Sequence, residues 1–386
     1  MNLVFVHDHK FYKFNDHYYS NGGLSGDALN RYIKAFGNVT IIARCLELNE
    51  INNNLSFASV EGTRFVSVPN HKSINSFYKI RDVKKIIERE IKSADYVIAR
   101  SSTLGNMAVS LAIKYKKPYL VEVVGCAWDS MWNYNIKGKV LAPLSFYTMK
   151  KSIKDAPYAI YVTNEFLQKR YPTKGKYVNC SNVTLSQFDP SLIEKRIKKI
   201  KGLQKNSKTV FGTIGAVNIN YKGQKYVIEA LGKLKKQGIT NFEYHLVGGG
   251  NQQHLLSVAQ RAGVSEEVKF IGSLPHERVF DWLDNIDLYI QPSVTEGLPR
   301  ALIEAMSRGL PAIGSNAGGI PELLSRECIF SKKSTNEIQY LIKNMSQSKM
   351  EIYAKENFEE AKKYSRILIE NRRNEFFNAF ISENLK

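Results

Sequence analysis

The chain has 386 residues, with 55 Lys and Arg against 36 Asp and Glu for a net charge of +19, and 43% apolar and 11% aromatic residues. At about 150 residues per domain this length implies two or three domains, and the apolar content excludes a disordered chain. Four scattered cysteines (Cys45, Cys126, Cys180, Cys328) without a C-x-x-C pair exclude a disulfide framework and a zinc ribbon, and no uncharged apolar run reaches the ~18 residues of a membrane span.

The run from Met1 to Asp8 lacks a basic leader, so it reads as a first strand and the protein as cytoplasmic. Short β-branched runs then alternate with helical stretches in both halves, the pattern of doubly wound parallel α/β sheets. Strands are expected over 3–7, 39–43, 65–68, 96–99, 119–124 and 159–163. Between the first of these and a helix over 27–36 lies Asn21-Gly22-Gly23-Leu24-Ser25-Gly26-Asp27. Loops at the carboxyl end of parallel strands bind substrates, so Gly22 and Gly23 are candidates to face a phosphate or an acceptor; a plain tight turn is the alternative. The spacing differs from G-x-G-x-x-G, so no dinucleotide site is expected. The segment Val124-Gly125-Cys126-Ala127-Trp128-Asp129 ends another strand, and Gly125, Trp128 and Asp129 are candidates to meet an acceptor sugar, with a core role for Trp128 as the alternative.

Residues 1–200 hold 30 Lys and Arg against 16 Asp and Glu, whereas 201–386 hold 25 against 20. Such a basic first half attracts nucleic acid, an anionic bilayer or a diphosphate-bearing substrate. Its lysines interleave with apolar and aromatic residues at helical spacing over 77–87 and 144–154, which suggests basic amphipathic helices at an anionic membrane surface rather than a nucleic-acid groove. Solvated lysine-rich faces are the plainer alternative. The lysine-dense stretch 193–208 is expected to hold the interdomain connection.

Further strands are expected over 209–214, 243–247, 269–271, 288–291 and 312–314, and helices over 350–385. After the strand at 288–291, Pro292 to Leu298 reads as a loop and Pro299 to Arg308 as a helix with proline in its first turn and Gly309 as its stop. Free N–H groups at such a helix start favour a diphosphate. Carboxylates beside a bound anion, Glu296 in the loop and Glu304 inside the helix, then serve as acceptors for sugar and ribose hydroxyls. Acidic residues there are also ordinary cap and dipole partners. The seven histidines show no metal-ligand spacing and no D-x-D is present, so no metal cofactor is expected.

Glu296, seven residues, then Glu304, followed by Gly318-Gly319-Ile320-Pro321-Glu322, resembles the donor-site signature of the retaining GT-B glycosyltransferases of family four. The resemblance extends upstream in order through Gly212-Thr213-Ile214-Gly215, Tyr221-Lys222-Gly223, His245 to Gly250 and Val268 to Gly272, and so covers the second half. Val162 to Pro172 resembles surface-polysaccharide members. The resemblance implies two Rossmann-like domains facing across a cleft: 1–195 for the acceptor, 196–365 for a nucleotide-sugar, and 366–386 a helix returning to the first domain. It implies Glu296 and Lys222 as catalytic, Glu296 on the donor sugar hydroxyls, Lys222 on the diphosphate and Glu304 on the ribose. Gly215, Asn218, Gly248, Ser273, Leu274, Gly297, Leu298, Pro299 and Arg300 would line the donor. Two departures stand out: Ala216 occupies the position of a usual arginine, and Val124 that of a frequent histidine.

The expected activity is transfer of a sugar from a nucleoside-diphosphate-sugar co-substrate to a glycan or polyprenyl-diphosphate-linked acceptor in bacterial surface polysaccharide synthesis, at the inner membrane face. A nucleotide-sugar epimerase on the same scaffold and a basic, non-enzymatic nucleic-acid or membrane binding protein are the alternatives.

Overall fold

The computed structural model describes residues 1–51, 55–70, 79–185, 188–204 and 207–385. Contacts divide the chain into two compact units: Met1–Trp128 with Val140–Asn182 and Glu370–Lys386, and Asp129–Lys139 with Val183–Ile369.

The first unit is built on β1 (Asn2–Phe14), β2 (His17–Ser20), β3 (Asn38–Glu47), β4 (Ser56–Phe57), β5 (Thr63–Val68), β6 (Tyr96–Arg100), β7 (Tyr119–Val123), β8 (Tyr158–Tyr161) and β9 (Lys176–Asn179). Its parallel strands run in the order β5-β3-β1-β6-β7-β8-β9, doubly wound about β1. Leu3 to Val6, Tyr96 to Ala99 and Leu120 to Val123 are buried, as strands covered on both faces must be. β1 runs well past the expected 3–7. Its register slips between Val6 and Lys10, and the strand continues as an antiparallel hairpin with β2. Asn15 and Asp16 make the turn at φ 45° and 62°, a left-handed pair that Asn and Asp tolerate.

The second unit carries β10 (Thr209–Ile214), β11 (Phe242–Val247), β12 (Val268–Gly272), β13 (Leu288–Gln291), β14 (Ala312–Ser315) and β15 (Ile329–Phe330). All are parallel, in the order β12-β11-β10-β13-β14-β15. The strand order therefore reverses between β10 and β13, where such sheets bind ligands beyond the carboxyl ends of their strands.

Three expectations are corrected. The division near 195 falls instead between Asn182 and Val183, because Val183 and Leu185 are buried in the core of the second unit and the Leu185 N–H donates to the Tyr364 carbonyl at 2.9 Å. The stretch 193–208 taken for a connection is helical up to Lys201, in the helix Ser191–Lys201; its residues 205–206 lie outside the described residues. The buried Arg196 guanidinium of that helix donates to the Ile286 and Leu283 carbonyls at 2.7 and 2.9 Å, closing the end of the helix His276–Asn285. Finally, the basic segment at 77–87 is no lipid-facing helix: Phe77 and Tyr78 lie outside the described residues, and the helix Ile80–Ser93 buries Val83 and Ile87 in its own unit.

Candidate active site

β10 and β13 pair side by side, then send their helices in opposite directions, Gln224–Lys236 toward β11 and Arg300–Ser307 toward β14. The loops Gly215–Lys222 and Pro292–Pro299 meet in the crevice this leaves. There Lys222 Nζ donates to Glu296 Oε1 at 2.6 Å. The same oxygen accepts from Ser293 Oγ at 2.7 Å and Gln291 Nε2 at 3.3 Å. Gln291 Oε1 in turn accepts from the Tyr289 phenol at 2.9 Å, and burial pushes that phenol well above its ordinary pKa. Tyr289, Gln291 and Ser293 are all buried, so they form a fixed relay behind a carboxylate whose own side chain is 12% exposed.

Two glycines let the loops approach this closely. Gly223 has φ +79°, and a Cβ on it would stand 2.0 Å from the Pro292 carbonyl oxygen. Gly318 has φ +56°, and its Cβ would stand 2.1 Å from the Glu296 carbonyl oxygen. Val294 N–H to Tyr221 O (2.7 Å) and Gly319 N–H to Gly297 O (2.7 Å) complete the backbone frame.

Glu304 lies inside the helix Arg300–Ser307; Pro299 precedes that helix with extended geometry rather than forming its first turn. The Glu304 side chain is 8% exposed, and its Oε1 lies 3.1 Å from His276 Nε2. The hydrogen bond to Glu304 raises the His276 pKa against the opposing effects of partial burial and the Arg300 charge.

The structure brings most of the expected donor residues to this end of the sheet. The Gly215 N–H bonds the Val247 carbonyl, the Gly248 N–H bonds the Gly272 carbonyl (both 2.8 Å), and Asn218 and Ser273 stand against Gly250 and Gly249. Leu274 and Leu298 pack against the hydrophobic core, and Arg300 is exposed. Asp129 belongs to the second unit: its carbonyl accepts from Thr295 Oγ1 at 3.2 Å, and Asn133 Nδ2 donates to the same hydroxyl at 2.8 Å. Among the described residues no group of three or more His, Cys, Asp and Glu side chains could hold a metal ion.

Gly22, Gly23, Gly125 and Trp128 lie in the first unit. The Gly22 N–H donates to Ser20 Oγ at 3.2 Å, which lies 2.9 Å from His9 Nε2. Burial, then the Arg100 and Arg44 charges, lower the His9 pKa to about 4 and keep that imidazole neutral. Behind it Arg100 and Glu122 form a buried ion pair at 2.7 Å, capped by the Tyr32 phenol. Gly125 faces open space on the side a Cβ would occupy, and Trp128 stands edge-on to Phe146 at 6.0 Å between ring centres.

The sequence reading passed over His9, His276, Tyr289, Gln291, Ser293 and Asn133. For three of them a signal existed: Tyr289, Gln291 and Ser293 alternate, which puts three polar groups on one face of a buried strand and its exit. His276 and Glu304 are 28 residues apart, with no periodicity to join them.

The family model for glycosyl transferases group 1 matches residues 194–367. Over 371 residues, 94% of this chain and 90% of the relative, the chain is 35% identical to Protein CapJ of Staphylococcus aureus. A stretch of 110 residues, 27% of each chain, is 42% identical to the amylovoran biosynthesis glycosyltransferase AmsK of Erwinia amylovora. The fold resembles that of Anabaena HepE, solved in complex with UDP and glucose, with a TM-score of 0.64 at 16% identity over 98% of this chain and 99% of that one.

Proposed function

Because the chain belongs to the group 1 glycosyl transferases and has a GT-B fold, we propose that it moves a sugar from a nucleoside diphosphate to a glycan or polyprenyl-diphosphate-linked acceptor, with retention at the anomeric carbon. The observation that carries this reading is the Lys222–Glu296 pair at the point where the strand order reverses, with Glu304 inside the helix that follows. An incoming diphosphate draws Lys222 Nζ to itself and meets the free N–H groups that open the Arg300–Ser307 helix. Glu296, still held by Ser293 and Gln291, accepts from the donor sugar hydroxyls, and Glu304 from the ribose. The acceptor hydroxyl attacks the anomeric carbon on the face the diphosphate leaves. The new C–O bond forms as the old one breaks, and the hydroxyl proton passes to the departing phosphate oxygen, so neither a protein base nor a metal is needed.

Gly22, Gly23, Gly125, Trp128 and Asp129 are read as acceptor-side residues. The amylovoran biosynthesis in the name of AmsK supports a role in polysaccharide synthesis, and the UDP of HepE makes uridine the first base to try. No observation favours the epimerase or the nucleic-acid binding module.

The test is a thermal-shift panel of nucleoside diphosphates and their sugars on the parent, Glu304→Ala and Lys222→Ala, repeated with EDTA. One nucleotide family should stabilise the parent, with EDTA making no difference, and should lose its effect on both variants. A parent that responds to none of them, or variants that respond as the parent does, would overturn the reading.

A further inference from the structure

The helix His276–Asn285 is tied to the helix Arg300–Ser307 at both ends. Arg308, just past the second helix, pairs with Asp284 near the end of the first, and His276 at its start lies with Nε2 3.1 Å from Glu304 Oε1. Pro275 precedes His276 at φ −56° and ψ 147°, so the imidazole belongs to the first residue of its helix. Its ring is braced edge-on by Phe280, one turn further on, at 5.3 Å between ring centres. The His276 side chain is 65% exposed and that of Glu304 8%, which sets the imidazole on the solvent side of the carboxylate.

The two oxygens of Glu304 are used unequally. Oε1 has His276, whereas Oε2 has no partner among the described residues and yet is not sealed from solvent. Among the described residues no lysine or arginine pairs with Glu304, so the imidazole alone holds it. A carboxylate has no proton to give; the imidazole therefore donates, and Oε2 is left to accept from a further donor such as a hydroxyl. A glutamate free to turn has to be ordered by its ligand, and that ordering subtracts from affinity. A hydrogen bond already made to Oε1 removes this loss. We propose that His276 is a positioning residue for nucleotide recognition: by holding Oε1 it fixes the Glu304 carboxylate and leaves Oε2 to the ribose diol, and so sets the preference for a ribonucleotide over one without ribose hydroxyls. That the diol is that of a ribose rests on the proposed donor site; the unequal use of the two oxygens does not.

The test is calorimetric titration of the full chain, as parent, His276→Ala and His276→Gln, with UDP and GDP, each beside its 2′,3′-dideoxy counterpart. The parent should bind one of the two ribonucleotides about tenfold or more tightly than its dideoxy form, since the hydrogen bonds removed are made to a charged group. In His276→Ala that preference should shrink about fivefold, through weaker binding of the ribonucleotide alone, as expected when one side chain has to be ordered on binding. His276→Gln, which keeps an N–H donor, should restore it. A residue that only supported the helix would weaken both forms alike, and that result overturns the proposal. So does a His276→Ala variant that keeps the parent's preference, a His276→Gln variant no better than alanine, or a parent that does not distinguish the two forms. A parent that binds neither UDP nor GDP removes the donor reading together with this one. A parent that binds one of them, with variants that discriminate as it does, loses only the role of His276.

Discussion

At Glu304 the neighbouring side chain is an imidazole, which ties the carboxylate assigned to the ribose to pH. Hydrogen bonding to Glu304 raises the His276 pKa above its ordinary 6.5 in the folded chain. A raised folded-state value means that the pair's contribution is fully present below the unfolded pKa and is lost as pH rises through the folded one. The His276 side chain is 65% exposed, so the contribution is that of a solvent-screened pair, about 0.2–1 kcal/mol. The gap in Tm between the parent and His276→Gln should therefore be widest at about pH 6 and close toward about pH 9. A gap that is flat across that range would separate His276 from Glu304. At Glu296 the concentration of donors on Oε1 has another effect: Ser293 and Gln291 would still hold the carboxylate if Lys222 turned, as proposed, to a diphosphate.

The helix that carries Glu304 is packed into the core by Leu302, Ile303, Ala305 and Met306, whereas the loop that carries Glu296 is held by close backbone contacts. The loop Pro292–Pro299 is clasped between Gly223 on one side and Gly318-Gly319 on the other. Gly318→Ala puts a Cβ into the Glu296 carbonyl and forces a left-handed φ on a residue that resists it, a strain of about 1–3 kcal/mol. The expected outcome is a Tm only modestly lower but a nucleoside-diphosphate response reduced at least as much as in Lys222→Ala. A normal nucleotide shift in Gly318→Ala would show that the loop does not need this clasp. The tripeptide Tyr221-Lys222-Gly223 follows the same logic, since the φ of +79° at Gly223 lets the lysine loop run under Pro292.

For the molecule as a whole, Lys222, Glu296 and Glu304, assigned to the donor under the proposed function, and the neighbouring His276 all belong to one unit, and the C-terminal segment belongs to the other. Phe377, fully buried, packs on Phe36 and Tyr32 at 5.4 and 5.9 Å between ring centres, and Phe380 packs on Tyr96 and Tyr158. Phe377→Ala should cost the first unit about 3–5 kcal/mol. The nucleoside-diphosphate stabilisation should persist in the second unit, about 2.7 kcal/mol at a ligand concentration a hundredfold above Kd. Calorimetry of the parent and the variant checks this, and a variant that has lost the nucleotide effect would make the donor site dependent on the first unit.

The alternation of strands and helices, the strand before Glu296, the helix holding Glu304 and its stop at Gly309 were legible in the sequence, because β-branched runs, helical periodicity and glycine punctuation act over a few residues. Periodicity marks which face of an element is to be covered and says nothing of what covers it. Hence 77–87 and 144–154 look alike in sequence, yet Val83 and Ile87 are enclosed while Leu144 and Tyr147 are not. The β1–β2 hairpin, the boundary at Asn182, the 74-residue reach from Lys222 to Glu296 and the His276–Glu304 pair were decided only when two parallel sheets set loops distant in sequence side by side. Hydrogen bonds and ion pairs form at about 3 Å, and no local pattern encodes which of many polar residues the fold will bring within that distance.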